Sequence, residues 1–124
     1  MRIIETKDAP AAIGPYSQGV VTGGFLYTSG QIPIDPASGV IEAPGIEGQT
    51  RQVIKNLEAV LKASGSSLER VVKTTCFLKN IGDFAVFNSI YAEAFTSNPA
   101  RSCVEVAALP KGALVEIEVI AEVE

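Results

Sequence analysis

An α+β fold, with one mixed six-stranded sheet and two helices on one face, is the fold class that this sequence predicts. Strand-like segments rich in Val, Ile, Thr and Tyr occupy both ends of the chain. Two segments with helical spacing interrupt them, which gives the order β-β-β-α-β-α-β-β. The 124 residues contain no repeat or linker, and 47% of them are apolar, enough for a core. We therefore expect a single domain over residues 1–124.

The strands of the first half are short and separated by Pro- and Gly-rich turns. Residues 1–6 predict a first strand, and the loop APAAIGPY then leads to Tyr16. The segment SQGVVTGGFLYTSG predicts a hairpin, because Gly23 and Gly24 tolerate the positive φ of a tight turn. The proline- and glycine-rich segment QIPIDPASG then predicts turns rather than a strand.

Both helices are predicted from apolar stripes with ends marked by capping residues. The first covers residues 47–64 and precedes Gly65 at the C-cap position; its stripe is Val53, Ile54, Leu57, Val60 and Leu61. The second begins after Asp83 and cannot continue through Pro99; its stripe is Phe84, Phe87, Tyr91 and Phe95.

Three further strands complete the sheet. Residues 70–79 form a β-branched segment in which Cys76 is expected to face the core with Val72, Thr74 and Leu78. The C-terminal segment from Pro99 predicts two more strands, the first carrying Arg101, Cys103 and Glu105 on one face. The last strand has an apolar face (Val115, Ile117, Val119, Ala121) and a mixed one (Glu116, Glu118, Ile120, Glu122). If the helices cover the apolar face, the mixed face meets water or another subunit.

Charge and hydropathy exclude several classes of partner. A net charge of −4 and a pI near 4.8 argue against general binding of nucleic acid, which requires a basic face. No apolar run approaches the roughly 18 residues of a membrane span, and MRIIETKDAP lacks the apolar core of a signal peptide. We therefore expect a cytoplasmic protein with reduced thiols.

The residue types and motifs that are absent from the sequence exclude several kinds of catalytic and cofactor site. The sequence contains no His, so neither a Ser-His-Asp triad nor a Cys-His dyad can form within the chain. Its two cysteines, Cys76 and Cys103, form no CxxC motif, and there is no GxGxxG or P-loop signature. Any activity must come from Arg, Glu, Asn, Ser, Tyr, Cys and backbone groups.

Arg101 and Glu116 are the strongest candidates for a site. The guanidinium of Arg101 can bind a carboxylate through two hydrogen bonds, although a surface arginine paired with a nearby Glu is an alternative. In apolar surroundings Glu116 can have a raised pKa and act as a general base. The alternative is a half-exposed strand whose glutamates face solvent. Because Glu118 shares that face and would repel Glu116, we expect only one of them to point into a pocket.

Five other residues are weaker candidates. Cys103 shares the face of Arg101, but a buried small apolar role is commoner for a free cysteine than nucleophilic catalysis. Asn88, beside the stripe of the second helix, is either a site amide or an amide at the helix edge. Gly30 would allow a ligand to approach the backbone, and with Ser29 it equally fits a plain strand end. Tyr16 is either a core residue or a pocket hydroxyl.

Four segments together resemble the Rid (YjgF-like) family, specifically its RidA type: APAAIGPYSQGV, YTSGQIPIDPASG, VVKTTCFLKNIGDF and PARSCVEVAALPKGALVEIEVIA. The resemblance covers almost the whole chain. It implies a chorismate-mutase-like fold, a barrel-like homotrimer and pockets between adjacent subunits. It also implies hydrolytic deamination of reactive 2-imino and enamine acids, such as 2-aminoacrylate and 2-aminocrotonate. The products are 2-oxo acids and ammonia, no cofactor or metal is used, and pyridoxal-phosphate enzymes are protected.

The resemblance also implies a role for each candidate residue. Arg101 would hold the substrate carboxylate and Glu116 would orient the attacking water. The remaining pocket residues would be Tyr16, Ser29, Gly30, Asn88 and Cys103. The sequence differs from the family pattern in one place: FTSNPARS is shorter than the family's usual connection into the strand that carries Arg101. The resemblance implies that such a change would affect the shape of the pocket mouth or the preferred substrate. A non-catalytic regulatory module that binds small carboxylates such as 2-oxo acids is the alternative function.

Overall fold

A computed structural model describes residues 1–123, which form one six-stranded mixed sheet and two helices. The elements along the chain are β1 (Arg2–Ile4), β2 (Gly19–Thr22), β3 (Phe25–Thr28), α1 (Ile46–Ser64), β4 (Val71–Leu78), α2 (Phe84–Ala94), β5 (Ala100–Glu105) and β6 (Val115–Glu122). The predicted order of strands and helices is confirmed. The first strand is shorter than the predicted 1–6.

The last strand of the chain lies in the middle of the sheet. The strand order is β1-β2-β3-β6-β4-β5, with β4 and β5 parallel and the other neighbours antiparallel. The β2–β3 hairpin turns at Gly23 and Gly24, whose φ angles are 60° and 84°, as the predicted tight turn requires. Because β6 is central, its two faces define the two faces of the whole sheet.

The helices cover the apolar face of β6. Val115, Ile117, Val119 and Ala121 are each at most 2% exposed and belong to one core with the predicted stripe of α1. Gly65 ends α1 in the left-handed conformation, with φ of 86°. The other face of β6 has no helix over it, and there Glu116, Glu118 and Ile120 are half-buried. Neither helix within residues 1–123 has the length and hydrophobicity that crossing a membrane requires.

One expectation about β4 is wrong. The side chain of Val72 was expected in the core with Thr74, Cys76 and Leu78, but it is 38% exposed, whereas those three are fully buried. The cause is an irregularity in the β4–β6 pairing between Val71 and Lys73, which shifts the alternation by one residue. Val71, 3% exposed, therefore takes the core position.

Candidate active site

A cleft of about 440 Å³ lies beside the start of β6 and contains four of the predicted site residues, Tyr16, Ser29, Gly30 and Glu116. Its walls are mostly aliphatic and come from the loops before β2 and after β3. The remaining lining residues include Ile13, Ile32, Ile34, Pro110 and Lys111. A cleft with apolar walls and a few polar groups is typical of a site for a small molecule.

Glu116 and Gly30 lie in direct contact. A Cβ atom on Gly30 would lie only 2.0 Å from the Oε2 atom of Glu116, so a residue without a side chain is needed there. The Gln31 N–H donates to the Ile117 carbonyl oxygen at 2.9 Å, and this bond fixes the segment after β3 against β6. The carboxylate is therefore confined between its own strand and the backbone at Gly30.

The surroundings of Glu116 raise its pKa above the ordinary value of 4.5. Partial burial is the larger cause, and the negative charge of Glu118 on the same face adds to it. Glu118 does not line the cleft. Glu116 is thus a carboxylate that accepts a proton more readily than an exposed glutamate, as a general base requires.

The loop that carries Tyr16 is tied to the end of β3. The Ser29 hydroxyl donates to the carbonyl oxygen of Ser17 at 2.5 Å, and the Ser29 N–H donates to the carbonyl oxygen of Gln18 at 2.9 Å. Tyr16 itself is 53% exposed and lines the cleft rather than the core. Of the two alternatives for Tyr16, the structure favours the pocket position.

Two buried amides that were not among the predicted site residues hold the cleft loops. Gln18, 3% exposed, donates to the carbonyl oxygens of Thr6, Ala9 and Pro10 and accepts the Thr6 N–H. Asn56 is fully buried on α1 and donates to the carbonyl oxygens of Ile32 and Ile34 at 3.1 and 2.9 Å. Asn56 follows Val53 by three positions, so an amide within the buried stripe was the signal that could have identified it.

One turn of the cleft wall has a strained backbone. Lys111 adopts a φ of 56°, which is unusual for a residue other than glycine, within the turn Pro110–Gly112 that leads into β6. Strain of this kind is often found next to functional sites, where the surrounding structure maintains it. Gly112, which follows directly, also has a positive φ, of 69°. A lysine is not a residue type that signals such a backbone conformation, so the strain at Lys111 could not be predicted from the sequence.

The other predicted site residues form a second group between β5 and α2. Arg101 donates through Nη1 to the Oδ1 atom of Asn88 at 2.6 Å. Its guanidinium carbon lies 4.7 Å from the ring centroid of Tyr91 and 5.4 Å from that of Phe84. No carboxylate within residues 1–123 forms an ion pair with Arg101. The alternative of a surface arginine paired with a glutamate is therefore not what the structure contains.

Both thiols have raised pKa values. Burial raises the pKa of Cys76 from 9.0 to about 12, in keeping with its place in the core. Partial burial also raises the pKa of Cys103, although the positive charge of Arg101 opposes this. A neutral thiol is a poor nucleophile, which disfavours covalent catalysis at either position. Within residues 1–123 no three Cys, Asp or Glu side chains lie close enough to hold a metal ion.

The two groups of site residues lie on opposite faces of the sheet. Arg101 pairs with Thr74 of β4, which pairs with Val119 of β6, and all three point toward the helices. Glu116 pairs with Phe77 and projects from the open face. Because strand neighbours share a face, a single copy of the chain cannot bring the guanidinium of Arg101 and the carboxylate of Glu116 into one pocket.

The sequence similarity to known proteins covers nearly the whole chain. Residues 6–123 match the sequence model of the family described as Endoribonuclease L-PSP. AldR of Lactococcus lactis, described only as a proposed regulator, is 59% identical, and the match covers 100% of this chain and 99% of AldR. The 2-iminobutanoate/2-iminopropanoate deaminase of Salmonella typhimurium is 49% identical over 97% of this chain and 96% of its own length.

Solved structures agree with these matches. YyfA from Yersinia pestis, a Rid family protein described as of unknown function, is 57% identical with a TM-score of 0.96, over 98% of both chains. TdcF from Escherichia coli, solved with bound serine, is 44% identical with a TM-score of 0.94, over 100% of both chains. The chain therefore belongs to the Rid (YjgF-like) family, whose sequence model bears the description Endoribonuclease L-PSP.

Proposed function

We propose that the chain is a hydrolytic deaminase that converts 2-imino acids and their enamine tautomers to 2-oxo acids and ammonia. The observation that carries the proposal is the pair of groups just described, a carboxylate with a raised pKa and a stacked arginine. They match the two needs of the reaction, a base for water and a binding group for the substrate carboxylate. The deaminase name of the Salmonella relative supports this activity.

The proposed site is shared between two subunits of a homotrimer. Arg101, Asn88 and Cys103 of one subunit would complete the cleft that holds Glu116 in the next, because one copy separates them on opposite faces. Exposed apolar side chains on the strands support a subunit contact, since association would bury them. They are Ile3, Tyr27 and Val104, which are 60%, 44% and 45% exposed.

Binding and orientation come first in the proposed mechanism. Arg101 would hold both oxygens of the substrate carboxylate, which fixes the direction of the neighbouring C=N carbon. Asn88 would hold the guanidinium through the hydrogen bond that it already accepts. Tyr16 and Ser29 would line the pocket around the substrate, and Gly30 would leave room beside the carboxylate of Glu116. Backbone carbonyl groups near Cys103 would accept the iminium N–H.

Glu116 would carry out the proton transfers. It accepts a proton from water as the water oxygen bonds to the imine carbon, while the C=N π electrons move to nitrogen. The protonated Glu116 then returns that proton to the amine of the tetrahedral adduct. The C–N bond then breaks and ammonia leaves with its electron pair. The hydroxyl oxygen forms the C=O bond of the 2-oxo acid and gives its proton to the Glu116 carboxylate, which releases it to water. Because a protonated imine is already a strong electrophile, this sequence requires neither a covalent nucleophile nor a cofactor.

The substrates suggest the context of the activity. Pyridoxal-phosphate enzymes that dehydrate serine and threonine release 2-aminoacrylate and 2-aminocrotonate, which are reactive toward other pyridoxal-phosphate enzymes. The serine bound to TdcF is consistent with a family pocket for small amino-acid-like carboxylates. We propose that this protein removes such intermediates before they react.

A regulatory module that binds 2-oxo acids without turnover is the second candidate. The description of AldR from Lactococcus lactis as a proposed regulator favours it. Such a module would need the guanidinium of Arg101 but not the proton transfer by Glu116. The Glu116→Gln variant separates the two functions, since it retains ligand binding in both cases and loses activity only if the chain is an enzyme.

The test couples the protein to a threonine dehydratase that forms 2-aminocrotonate from threonine, with semicarbazide as the trap for surviving imine. The wild type should lower the rate of semicarbazone formation in proportion to its concentration, and Arg101→Ala and Glu116→Gln should not. Arg51→Ala is a matched control, because Arg51 forms an exposed ion pair with Glu93, a kind of pair that contributes little to stability. A folded wild type that has no effect, yet binds 2-oxobutanoate, would favour the regulatory module.

Mixing the two inactive variants tests the shared site. If subunits of Arg101→Ala and Glu116→Gln are dissociated and reassembled together, roughly a quarter of the interfaces combine the two intact halves. Activity should therefore return to roughly a quarter of the wild-type value. Mixed oligomers that stay inactive would contradict a site formed between subunits.

A further inference from the structure

An aromatic ring that is itself held in place lies under the guanidinium of Arg101. Tyr91 is 7% exposed on α2, and its hydroxyl oxygen lies 2.7 Å from the Oγ1 atom of Thr74. Thr74 is fully buried on β4, next to Arg101 across the parallel strand pair. The hydrogen bond therefore connects the helix that carries the ring to the strand that faces Arg101.

Neighbouring aromatic rings restrict Tyr91 further. Its ring stacks on that of Phe95 with a centroid distance of 4.5 Å, and it lies 5.7 Å from the ring of Phe87. Burial raises the pKa of Tyr91, so the phenol stays neutral and its ring can attract a cation. The ring has a defined position before any ligand arrives.

We infer that Tyr91 is a positioning residue for the carboxylate site, and that it holds the plane of the Arg101 guanidinium in the orientation that binds a carboxylate. The inference rests on the proposed function and deepens it. Asn88 accepts a hydrogen bond from Nη1, which leaves Nε and Nη2 on one edge of the guanidinium. That edge presents two parallel N–H groups, the arrangement that a carboxylate requires for bidentate binding.

Orientation matters because an arginine side chain is long and exposed. Arg101 is exposed in the single chain, and an unrestrained guanidinium would lose side-chain freedom when the ligand binds. Stacking on Tyr91 removes that freedom beforehand, which increases affinity without a new ligand contact. Tyr91 therefore acts through Arg101, not by touching the ligand.

The test compares binding of 2-oxobutanoate by the intact wild-type oligomer and by variants, with calorimetry. Tyr91→Leu should weaken binding about tenfold and raise KM by a similar factor with little change in kcat, since the carboxylate is held equally before and during the reaction. Tyr91→Phe keeps the ring and should stay within about threefold of the wild type, and so should Thr74→Val, which removes the same hydrogen bond.

Phe87→Leu is the matched control, because Phe87 is a fully buried ring on the same helix that contacts Tyr91. Within residues 1–123 the rings under the guanidinium of Arg101 are those of Phe84 and Tyr91, not that of Phe87. It should lower thermal stability and leave the Kd of 2-oxobutanoate near the wild-type value. The NMR signal of the Arg101 Nε–H should be shifted by the ring current of Tyr91 in the wild type and in Tyr91→Phe, and should lose that shift in Tyr91→Leu.

The outcomes separate the inference from the proposed function. Wild-type affinity in Tyr91→Leu, or an equal loss in Phe87→Leu, would overturn the positioning role while leaving the deaminase activity intact. A wild type that neither hydrolyses 2-aminocrotonate nor binds 2-oxobutanoate would overturn the proposed function, and the inference with it. Binding of 2-oxobutanoate that is weakened in Tyr91→Leu alone, together with a KM for 2-aminocrotonate raised by a similar factor, would support both.

Discussion

Replacing Gly30 with alanine should displace the carboxylate of Glu116 and leave the fold intact. The new Cβ would lie 2.0 Å from Oε2, whereas real contacts of this kind essentially never fall below 3.0 Å, so the carboxylate must retreat by at least 3.0 − 2.0 = 1.0 Å. A misplacement of about 1 Å in a reacting group lowers catalysis by about 100-fold, or roughly 2.7 kcal/mol in the barrier. Because the obstructing atoms belong to the end of a flexible side chain, stability should fall by only about 1 kcal/mol.

The assay is hydrolysis of 2-aminocrotonate in the presence of semicarbazide, together with thermal unfolding of the same samples. Gly82→Ala is the matched control, since a Cβ there meets nothing within 4 Å. Gly30→Ala combined with Glu116→Gln should be no slower than Glu116→Gln alone, because both changes act through one carboxylate. If Gly30→Ala retains more than about a third of the activity of Gly82→Ala, the placement of Glu116 is not what limits the reaction.

Four other predictions rest on burial and charge. Activity should fall as the pH decreases through the raised pKa of Glu116, and Glu118→Gln should move that fall to lower pH in a pH–rate profile, because the charge of Glu118 contributes to the shift. Stability should decrease as the pH rises from 4.5 through the raised pKa, since the folded chain holds that proton more tightly, and Glu116→Gln should remove this slope in unfolding titrations. With a thiol reagent the native protein should release at most one rapid equivalent, from Cys103, because Cys76 is fully buried with a pKa of about 12; two rapid equivalents would contradict this. Thr50→Val should leave stability unchanged or raise it by about 1 kcal/mol, since the buried Thr50 hydroxyl has no hydrogen-bond partner within residues 1–123; a clear loss in denaturant unfolding would point to a missing partner.

Features that depend on neighbouring residues along the chain could be predicted from the sequence. The hairpin at Gly23 and Gly24, both helices and the two-faced β6 follow from turn chemistry and from apolar spacing, which are local properties. The end of α1 at Gly65 could be predicted for the same reason, because a glycine at the C-cap is a local signal. The shift at Val72 was not predictable, because the irregularity arises from pairing with β6 some 50 positions later.

The candidate site could be predicted only in part from local sequence patterns. The residue types at Arg101 and Glu116 suggested a carboxylate-binding group and a base, and the resemblance to a known family joined them in one pocket. Their opposite faces depend on the register in which β5 and β6 each pair with β4, and that register is a property of the assembled sheet. The buried amides of Gln18 and Asn56 likewise depend on loops that pack against them from distant parts of the chain.

The way in which Gln18 holds its loop has a consequence for the evolution of substrate range. Among the residues that the structure describes, its amide bonds only main-chain groups, those of Thr6, Ala9 and Pro10. Main-chain groups are nearly the same for every amino acid, so this restraint places almost no selection on the side chains of the loop. Ala11 and Ile13, which line the cleft just beyond it, can therefore change while the loop keeps its path. A library randomised at these two positions should yield folded proteins at high frequency and a spread of substrate preferences.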